Sequence, residues 1–182
     1  MNGVSIAGRK RFDLSDFYET PSWATQELLR FEKFEGGILE PACGLGAISR
    51  ELEAKGYKVR SQDLEDRGYG KGGVDFLKQG DSADNIVTNP PFSKALEFVQ
   101  WSKLVADKKI AMILKLTFLE STKRAAMFED KLFPLARVYV FCKRVDMFAF
   151  GQEKPVNSGT IAYAWFVWDK AHIGEATIKW IR

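Results

Sequence analysis

Short apolar segments alternate with helical segments along most of the chain, and this alternation constrains the fold more than any other feature of the sequence. The segments typical of buried strands are 38–40, 57–63, 73–76, 86–88 and 109–116, and those typical of intervening helices are 47–55 and 93–105. Strands that are joined through a helix generally pair in parallel. The sequence therefore predicts an α/β sandwich in which helices cover both faces of a mostly parallel sheet.

The two ends of the chain have different patterns from its middle. Residues 1–14 are polar and basic and are expected to form a flexible arm, after which a helix begins with Thr20 as its N-cap and Pro21 at its first helical position. Near the other end, strand-like segments at 160–168 and 177–181 have no helix between them. These last two segments predict a C-terminal antiparallel hairpin.

Size and composition fit one globular domain. The chain has 182 residues, of which 46% are hydrophobic and 28% are charged, so we expect a single domain over 1–182. No apolar stretch approaches the roughly 20 residues that span a bilayer, and no signal-peptide pattern begins the chain, which predicts a cytoplasmic protein without membrane contact. Two cysteines and the single His172 suit neither a disulfide framework nor a zinc site, so no metal is expected.

A glycine-containing turn follows the first predicted strand. Residues 41–46 connect that strand to a helix, and Gly44 and Gly46 allow a ligand to approach the backbone where N–H groups gather at the helix N-terminus. The full Gly-x-Gly-x-x-Gly fingerprint is absent, because its last position holds Ser49. Asp63 ends the next predicted strand, where a carboxylate in this type of fold accepts hydrogen bonds from ribose hydroxyls. The turn and Asp63 together predict a ligand that contains a nucleoside.

The segment Asn89-Pro90-Pro91-Phe92 follows the predicted strand at 86–88 and combines an amide, a free carbonyl and an aromatic ring. Because proline has no N–H and restricts the residue before it to extended conformations, the carbonyls of Asn89 and Pro90 cannot join a helical ladder. The Asn89 side-chain oxygen and the Pro90 carbonyl can each accept one N–H of a planar amino group, while the ring attached to that group stacks on Phe92. The alternative is an ordinary turn, since Asn-Pro is common in turns.

Four short segments resemble motifs of known enzymes. The segment 40–46, Glu-Pro-Ala-Cys-Gly-Leu-Gly, resembles the cofactor loop of S-adenosylmethionine-dependent amino-methyltransferases, and 89–92 resembles the catalytic motif of the N6-adenine enzymes in that group. The segment 18–21 is similar to the motif that precedes the cofactor loop in DNA adenine methyltransferases, and 163–168 is similar to the closing strand of small stand-alone enzymes of the bacterial and phage type. The resemblance implies a class I, Rossmann-like methyltransferase with a seven-stranded sheet and S-adenosylmethionine as its cofactor.

The resemblance also implies roles for particular residues. Those that would contact S-adenosylmethionine are Thr20, Pro21, Glu40, Pro41, Ala42, Gly44, Gly46, Asp63, Asp75 and Phe76. Asp63 would hold the ribose and Asp75 the adenine amino group of the cofactor, with Phe76 beside its ring. Glu40 either contacts the cofactor or only braces its loop. The residues to which the resemblance assigns catalysis are Asn89, Pro90, Pro91 and Phe92.

The acceptor that the resemblance implies is adenine in DNA, either single-stranded or flipped out of a duplex onto Phe92. A net charge of +3 permits such a polyanionic partner. Lys143 and Arg144, at the start of a loop over 143–159, are candidates for contacts to the nucleic-acid backbone. Adenine in RNA and a glutamine amide in a protein stay open as alternative acceptors, and so does a non-catalytic cofactor- or nucleic-acid-binding module. The sequence does not determine the oligomeric state.

Overall fold

The structure is a computed structural model that describes residues 18–79, 81–149 and 161–182. Its strands are β1 (Tyr18–Glu19), β2 (Ile38–Glu40), β3 (Val59–Ser61), β4 (Ala83–Thr88), β5 (Ala106–Lys115), β6 (Leu135–Phe141), β7 (Phe148–Ala149), β8 (Tyr163–Asp169) and β9 (Thr177–Ile181). Its α-helices are α1 (Ser22–Phe31), α2 (Ala47–Ala54), α3 (Phe76–Gln79), α4 (Ala95–Val105) and α5 (Ala125–Phe128). The predicted basic arm at 1–14 and most of the loop at 143–159 lie outside the described residues. No helix within the described ranges is long and apolar enough to cross a membrane.

Seven strands form one sheet in the order β3-β2-β4-β5-β8-β6-β9. Strand β8 is antiparallel to its neighbours β5 and β6, whereas the other pairs in the sheet are parallel. The mostly parallel sheet of the prediction is therefore confirmed. The two C-terminal strands run antiparallel to each other, as expected, but β6 lies between them instead of their pairing directly. Burial explains the placement, because every residue of β8 is buried whereas β9 is exposed from Thr177 to Trp180 and takes the edge.

Helices cover both faces of this sheet. On one face, Phe76 of α3 and Phe98 of α4 pack with residues such as Ile86 of β4 in one apolar cluster. On the other face, Leu28 of α1 and Leu52 of α2 pack with sheet residues in a second cluster. This two-sided burial explains why the strand segments read as continuous apolar runs.

The strand predicted at 73–76 does not form. The chain returns to the end of β3 only through an isolated bridge between Gln62 and Lys71, and α3 then begins at Phe76. Gly70 and Gly73 have φ angles of +67° and +73°, which lie in the left-handed region and interrupt an extended conformation. The prediction of this strand was wrong because it relied on the apolar residues Val74 and Phe76, whereas the glycines before them break the extended conformation.

The sheet has a topological switch point at β2, where the strand order reverses direction. Strand β2 lies between β3 and β4. One crossover leads from β2 to its neighbour on one side, β3, and the next leads from β3 past β2 to its neighbour on the other side, β4. The loops that follow the carboxyl ends of these strands then separate and leave a crevice, which is where open α/β sheets bind their ligands. The separate two-stranded sheet pairs Tyr18 with Ala149 and Glu19 with Phe148.

Candidate active site

A cavity of about 610 Å³ lies at the carboxyl ends of β2 and β4, in the crevice that the topology predicts. The residues singled out from the sequence that line it are Thr20, Glu40, Pro41, Ala42, Gly44, Asp63, Asp75, Phe76, Asn89 and Pro91. They come from the segment before α1, from the β2–α2 turn, from the loop after β3 and from the end of β4. Most of the candidate cofactor residues and the candidate catalytic asparagine therefore share one cavity.

Asn89 has a fixed side-chain amide with one unsatisfied oxygen. Its Nδ2 donates a hydrogen bond to the backbone carbonyl of Tyr18, at 2.9 Å. Its Oδ1 is buried and accepts no hydrogen bond from any described residue. A buried acceptor without a partner is costly, by about 1–3 kcal/mol. The arrangement is that of an acceptor prepared for a donor on a bound ligand.

The other three residues of the 89–92 segment divide between two environments. Pro90 is buried, and among the described residues its carbonyl accepts no backbone hydrogen bond, whereas the Pro91 carbonyl accepts one from Lys94 N–H at 2.9 Å. Phe92 does not line the main cavity; it lines a neighbouring one of about 450 Å³. The Phe92 ring stacks with that of Tyr18 at a centroid distance of 5.6 Å, so Tyr18 joins the two cavities.

Asp63 holds the turn between β2 and α2. Its Oδ2 accepts a hydrogen bond from Gly44 N–H at 2.7 Å, and its Oδ1 accepts one from Glu65 N–H at 2.9 Å. Each carboxylate oxygen has a further lone pair, so these bonds leave acceptor capacity for a ligand in the cavity. Gly44 has a φ of +55°, in the left-handed region, which turns its N–H towards Asp63 without the strain another residue would bear.

Gly46 does not line the cavity, and the space beside it is filled by protein. A Cβ at this position would lie 2.5 Å from Cε1 of Tyr69, and the φ of Gly46 is +85°. The Tyr69 hydroxyl donates to a carboxylate oxygen of Glu53 at 3.1 Å, and the Arg50 guanidinium lies 4.7 Å from the ring centroid. Gly46 therefore lets the glycine-rich loop after β3 pack on α2. Its contact with the cofactor stays a prediction, because Gly46 does not line the cavity.

Glu40 is buried at the base of the cavity and forms a polar cluster with two serines. Its carboxylate accepts a hydrogen bond from the Ser49 hydroxyl, which lies 2.6 Å from the Ser61 hydroxyl. Burial raises the pKa of Glu40 to about 8, against a smaller lowering by Ser49. Ser49, which takes the place of the third fingerprint glycine, is thus a partner of Glu40, and the bracing interpretation of Glu40 fits these contacts.

Glu40 gives a testable pH dependence. Because its pKa rises from 4.5 in the unfolded chain to about 8 in the fold, the folded protein holds a proton that the unfolded chain releases between these values. The stabilisation is full below the lower value and is lost as the pH rises through the higher one. We expect the urea-derived free energy of unfolding to fall with pH more steeply in the wild type than in Glu40→Gln, by at most about 1.4 kcal/mol per pH unit. Equal slopes between about pH 5 and pH 9 would contradict a protonated Glu40.

The segment before α1 and the loop before α3 complete the cavity. Thr20 is buried with an unpartnered Oγ1, and Pro21 precedes α1 in an extended conformation, so Thr20 is not the helix N-cap that the sequence suggested. Asp75 accepts a hydrogen bond from Leu77 N–H at 3.1 Å, and its other carboxylate oxygen lies 3.0 Å from the Lys78 Nζ. Pro21 itself lies outside the cavity lining.

Lys143 and Arg144 line neither of the two cavities. Both side chains are exposed, and the Lys143 Nζ lies 5.2 Å from the centroid of the Trp23 ring. The structure therefore does not bring them together with Asn89, and their contact with a nucleic acid stays a prediction.

Leu64 and Lys115 are among the cavity-lining residues that the sequence did not single out. Leu64 follows Asp63, lines the main cavity and is 59% exposed, which is unusual for a leucine beside a buried acid. Lys115, at the end of β5, lines the second cavity. The only available signal was position, since each stands at the carboxyl end of a parallel strand.

Cys43 lines the main cavity but is not suited to nucleophilic chemistry. Burial, with smaller effects from the Glu40 and Asp63 carboxylates, raises the pKa of its thiol to about 12. Its Sγ lies 3.4 Å from the Tyr69 carbonyl. The thiol is therefore protonated near neutral pH and only packs.

Three solved structures illustrate what the fold is similar to. A protein assigned as an RNA methyltransferase from Pyrococcus horikoshii has a TM-score of 0.66 and 16% identity, over 90% of this chain and 91% of its own. A protein assigned as the modification subunit of a type I restriction enzyme from Vibrio vulnificus has a TM-score of 0.60 and 16% identity, over 89% of this chain and 46% of its own. Magnesium protoporphyrin IX methyltransferase from Synechocystis, with bound S-adenosylmethionine, has a TM-score of 0.55 and 12% identity, over 82% of this chain and 77% of its own.

These similarities show that the chain has the Rossmann-like α/β sandwich fold that these methyltransferases share, which confirms the predicted fold class. The chain spans about half the length of the modification subunit. Neither a protein-family model nor a curated protein sequence matches the chain.

Proposed function

We propose that the chain is a single-domain, S-adenosylmethionine-dependent methyltransferase that transfers a methyl group to the N6 amino group of adenine, with DNA as the polymer. The observation that carries the proposal is the Asn89 amide, which is anchored through Nδ2 and keeps a buried, unpartnered Oδ1 in the wall of the cavity. An acceptor of this kind suits a substrate whose reacting group is a planar amine with two N–H donors.

The main cavity fits the proposed cofactor. Its volume of about 610 Å³ is in the usual range for small-molecule sites, and its lining combines apolar side chains with a few polar groups. Asp63 and Asp75 are acceptors for the ribose and for an adenine amino group, and the unpartnered Thr20 hydroxyl is available to the carboxylate end. S-adenosylmethionine would supply an electrophilic methyl group on a sulfonium. The solved structure of the same fold with this molecule bound supports the assignment.

Asn89 and Pro90 would act on the acceptor nitrogen. The exocyclic nitrogen of adenine shares its lone pair with the ring, so it is a weak nucleophile until acceptors engage its N–H groups. The Asn89 Oδ1 has no partner among the described residues, and no backbone N–H among them donates to the Pro90 carbonyl. Their hydrogen bonds strengthen as positive charge grows on the nitrogen, so they stabilise the transition state more than the ground state. Direct transfer needs no nucleophile of the protein, which agrees with the protonated Cys43 thiol.

Replacing Asp63 with alanine should weaken cofactor binding by about tenfold or more, because one ligand hydrogen bond to a charged group and the support of Gly44 are lost together. Calorimetric titration with S-adenosylmethionine measures this directly. Asp66→Ala is the matched control, since Asp66 is an exposed acid of the same loop that lies outside the cavity lining. An Asp63→Ala affinity equal to that of the control would remove Asp63 from the site.

The acceptor polymer is tested by turnover with S-adenosylmethionine labelled in its methyl group, offered separately to DNA, RNA and protein. The solved structures of similar fold include a restriction-enzyme modification subunit and an RNA methyltransferase, which supports a nucleic-acid acceptor. We expect label in the N6 position of adenine in DNA, from a single strand or from a base flipped out of a duplex. Label only in RNA, or only in glutamine of protein, would replace DNA as the acceptor. No transfer to any polymer would favour a non-catalytic binding module.

Lys143 and Arg144 are proposed to contact the nucleic-acid backbone outside the site of methyl transfer. Both are exposed and lie just before residues 150–160, so they remain candidates for contacts to the phosphate backbone beyond the target nucleotide.

A further inference from the structure

The second cavity, of about 450 Å³, shares Tyr18 with the main cavity. Its lining residues are Tyr18, Phe92, Ser93, Ala95, Leu114, Lys115, Thr117, Phe118 and Arg124. Tyr18 lines both cavities, and Phe92 stands three positions after Asn89. A ligand in the second cavity would therefore lie beside the proposed site of methyl transfer.

The lining of this cavity is positively charged and aromatic. Among the described residues that line it are the cations Lys115 and Arg124 and no aspartate or glutamate, and its aromatic rings include Phe92 and Phe118. A ring surface next to a positive charge is the combination that recognises a nucleobase together with an anion.

The two cations differ in how they are held. Arg124 donates to three backbone carbonyls, to Phe118 at 2.6 Å, to Glu120 at 2.7 Å and to Thr117 at 3.1 Å, so its guanidinium is fixed as part of the wall. Lys115 is half-buried, and its Nζ lies 4.9 Å from the centroid of the Phe92 ring. Among the described residues Lys115 forms neither an ion pair nor a side-chain hydrogen bond.

We propose that Lys115 binds a phosphodiester oxygen of the acceptor nucleotide while its base occupies the second cavity beside Phe92, so the acceptor is a nucleotide of DNA or RNA. This rests on the proposed function and specifies its acceptor. A glutamine amide carries no anion next to its reacting group, so a protein acceptor would offer no anionic partner to the Lys115 ammonium group. An aromatic wall beside a lysine that has no counter-ion in the described part of the chain fits a base joined to its phosphate.

The position of Lys115 on the sheet supports this role. Lys115 is the last residue of β5 and lies opposite Tyr163 of β8, whose ring is 5.5 Å from that of Phe92. The ammonium group is therefore held at the carboxyl edge of the sheet, close to the segment that carries Asn89. A phosphate bound there would set the distance between the backbone of the acceptor and its reacting amino group.

The test measures binding of a fluorescent adenine-containing oligonucleotide by anisotropy, with S-adenosylhomocysteine present so that no turnover occurs. The variants are Lys115→Met, which keeps most of the stem, and Lys115→Arg, which keeps the charge. The control is Lys108→Met, because Lys108 lies near the other end of the same strand and pairs with Glu35 and Asp84 at 3.8 Å. DNA and RNA oligonucleotides of the same sequence form separate arms.

We expect Lys115→Met to weaken binding by about tenfold and to lower the slope of log Kd against log salt by about one, with Lys115→Arg close to the wild type. Lys108→Met should leave both quantities unchanged. Methyl transfer by Lys115→Met should show a raised KM for the oligonucleotide with a smaller change in kcat. Whichever arm shows the loss identifies the polymer that Lys115 contacts.

Two results would overturn the inference in distinguishable ways. If the wild type methylates adenine but Lys115→Met binds with the affinity and salt slope of Lys108→Met, the phosphate contact is absent while the proposed function stands. If the wild type methylates only glutamine in protein, the proposed acceptor fails and the nucleotide assignment of this cavity fails with it. A retained circular dichroism spectrum and melting temperature in Lys115→Met exclude misfolding as the cause of a loss.

Discussion

Asn89→Ala should lower kcat for adenine methylation by about 10²–10³-fold while the affinity for S-adenosylmethionine stays near that of the wild type. The reason is that the substitution removes an acceptor whose hydrogen bond is strongest when positive charge has developed on the reacting nitrogen. The Oδ1 that is lost has no partner among the described residues, so the hydrogen bond of the fold that the substitution removes is the one from Nδ2 to the Tyr18 carbonyl. Steady-state transfer to an adenine-containing oligonucleotide, together with calorimetric titration of the cofactor, measures both quantities.

Asn89→Asp distinguishes the contribution of the amide oxygen Oδ1 from that of the amide nitrogen Nδ2. The aspartate keeps an acceptor for the substrate but cannot donate to the Tyr18 carbonyl, which would face a carboxylate oxygen at the present 2.9 Å. We expect its kcat to lie between those of the wild type and Asn89→Ala, because the acceptor is present but its orientation is no longer fixed. Wild-type turnover by Asn89→Ala would remove Asn89 from the reaction. An equal loss of cofactor affinity in both variants would assign Asn89 a structural role instead.

Much of the fold, and the convergence of most candidate cofactor residues and Asn89 on one cavity, could be predicted from the sequence. Apolar strand segments that alternate with helices bury their apolar faces by forming a parallel sheet covered by the helices. Once that sheet is accepted, residues at the carboxyl ends of its strands must converge, and Gly44, Asp63, Asp75 and Asn89 do line one cavity. Local pattern and topology were sufficient for Gly44, Asp63 and Asn89, because each stands directly after, or just beyond, a strand. Asp75 follows no strand and reaches the cavity from the loop before α3.

Contacts that depend on tertiary structure could not be predicted in this way. The anchor of the Asn89 amide is a backbone carbonyl of Tyr18, and any residue type offers a carbonyl, so the sequence carries no mark of it. Gly46 was assigned to the ligand because glycine permits close approach, yet the ring that approaches it is Tyr69, from a loop more than twenty positions away. The position of β8 between β5 and β6 follows from burial that only the complete sheet defines.

A buried charged cluster that the sequence did not indicate lies near the amino ends of strands β5 and β6. Glu32, just after α1, is 2% exposed, and its carboxylate accepts hydrogen bonds from the Arg137 guanidinium, from the Lys109 Nζ at 2.9 Å and from the Tyr139 hydroxyl at 2.7 Å. Arg137 also donates to Asp169 at 2.8 Å. Lys109 and Arg137 stand near the amino ends of β5 and β6, and Asp169 ends the antiparallel β8, so the cluster ties α1 to three strands far from the cavity.

Glu32→Ala should lower the free energy of unfolding by about 3–5 kcal/mol, because it leaves Lys109 and Arg137 with Asp169 as their only remaining carboxylate in the cluster. Urea denaturation at neutral pH measures the change. Glu35→Ala is the matched control: Glu35 lies three residues later, is 88% exposed and is 3.8 Å from Lys108, so its loss should cost less than about 1 kcal/mol.

The folded fraction of Glu32→Ala should keep the cofactor affinity of the wild type, since the hydrogen-bond partners of the Glu32 side chain, Lys109, Arg137 and Tyr139, do not line the cavity. A loss of stability no greater than that of Glu35→Ala would mean that Glu32 is replaceable within the cluster. In that case Asp169 alone would balance both cations, and the tie between α1 and the sheet would rest on the apolar packing of Leu28 and its neighbours.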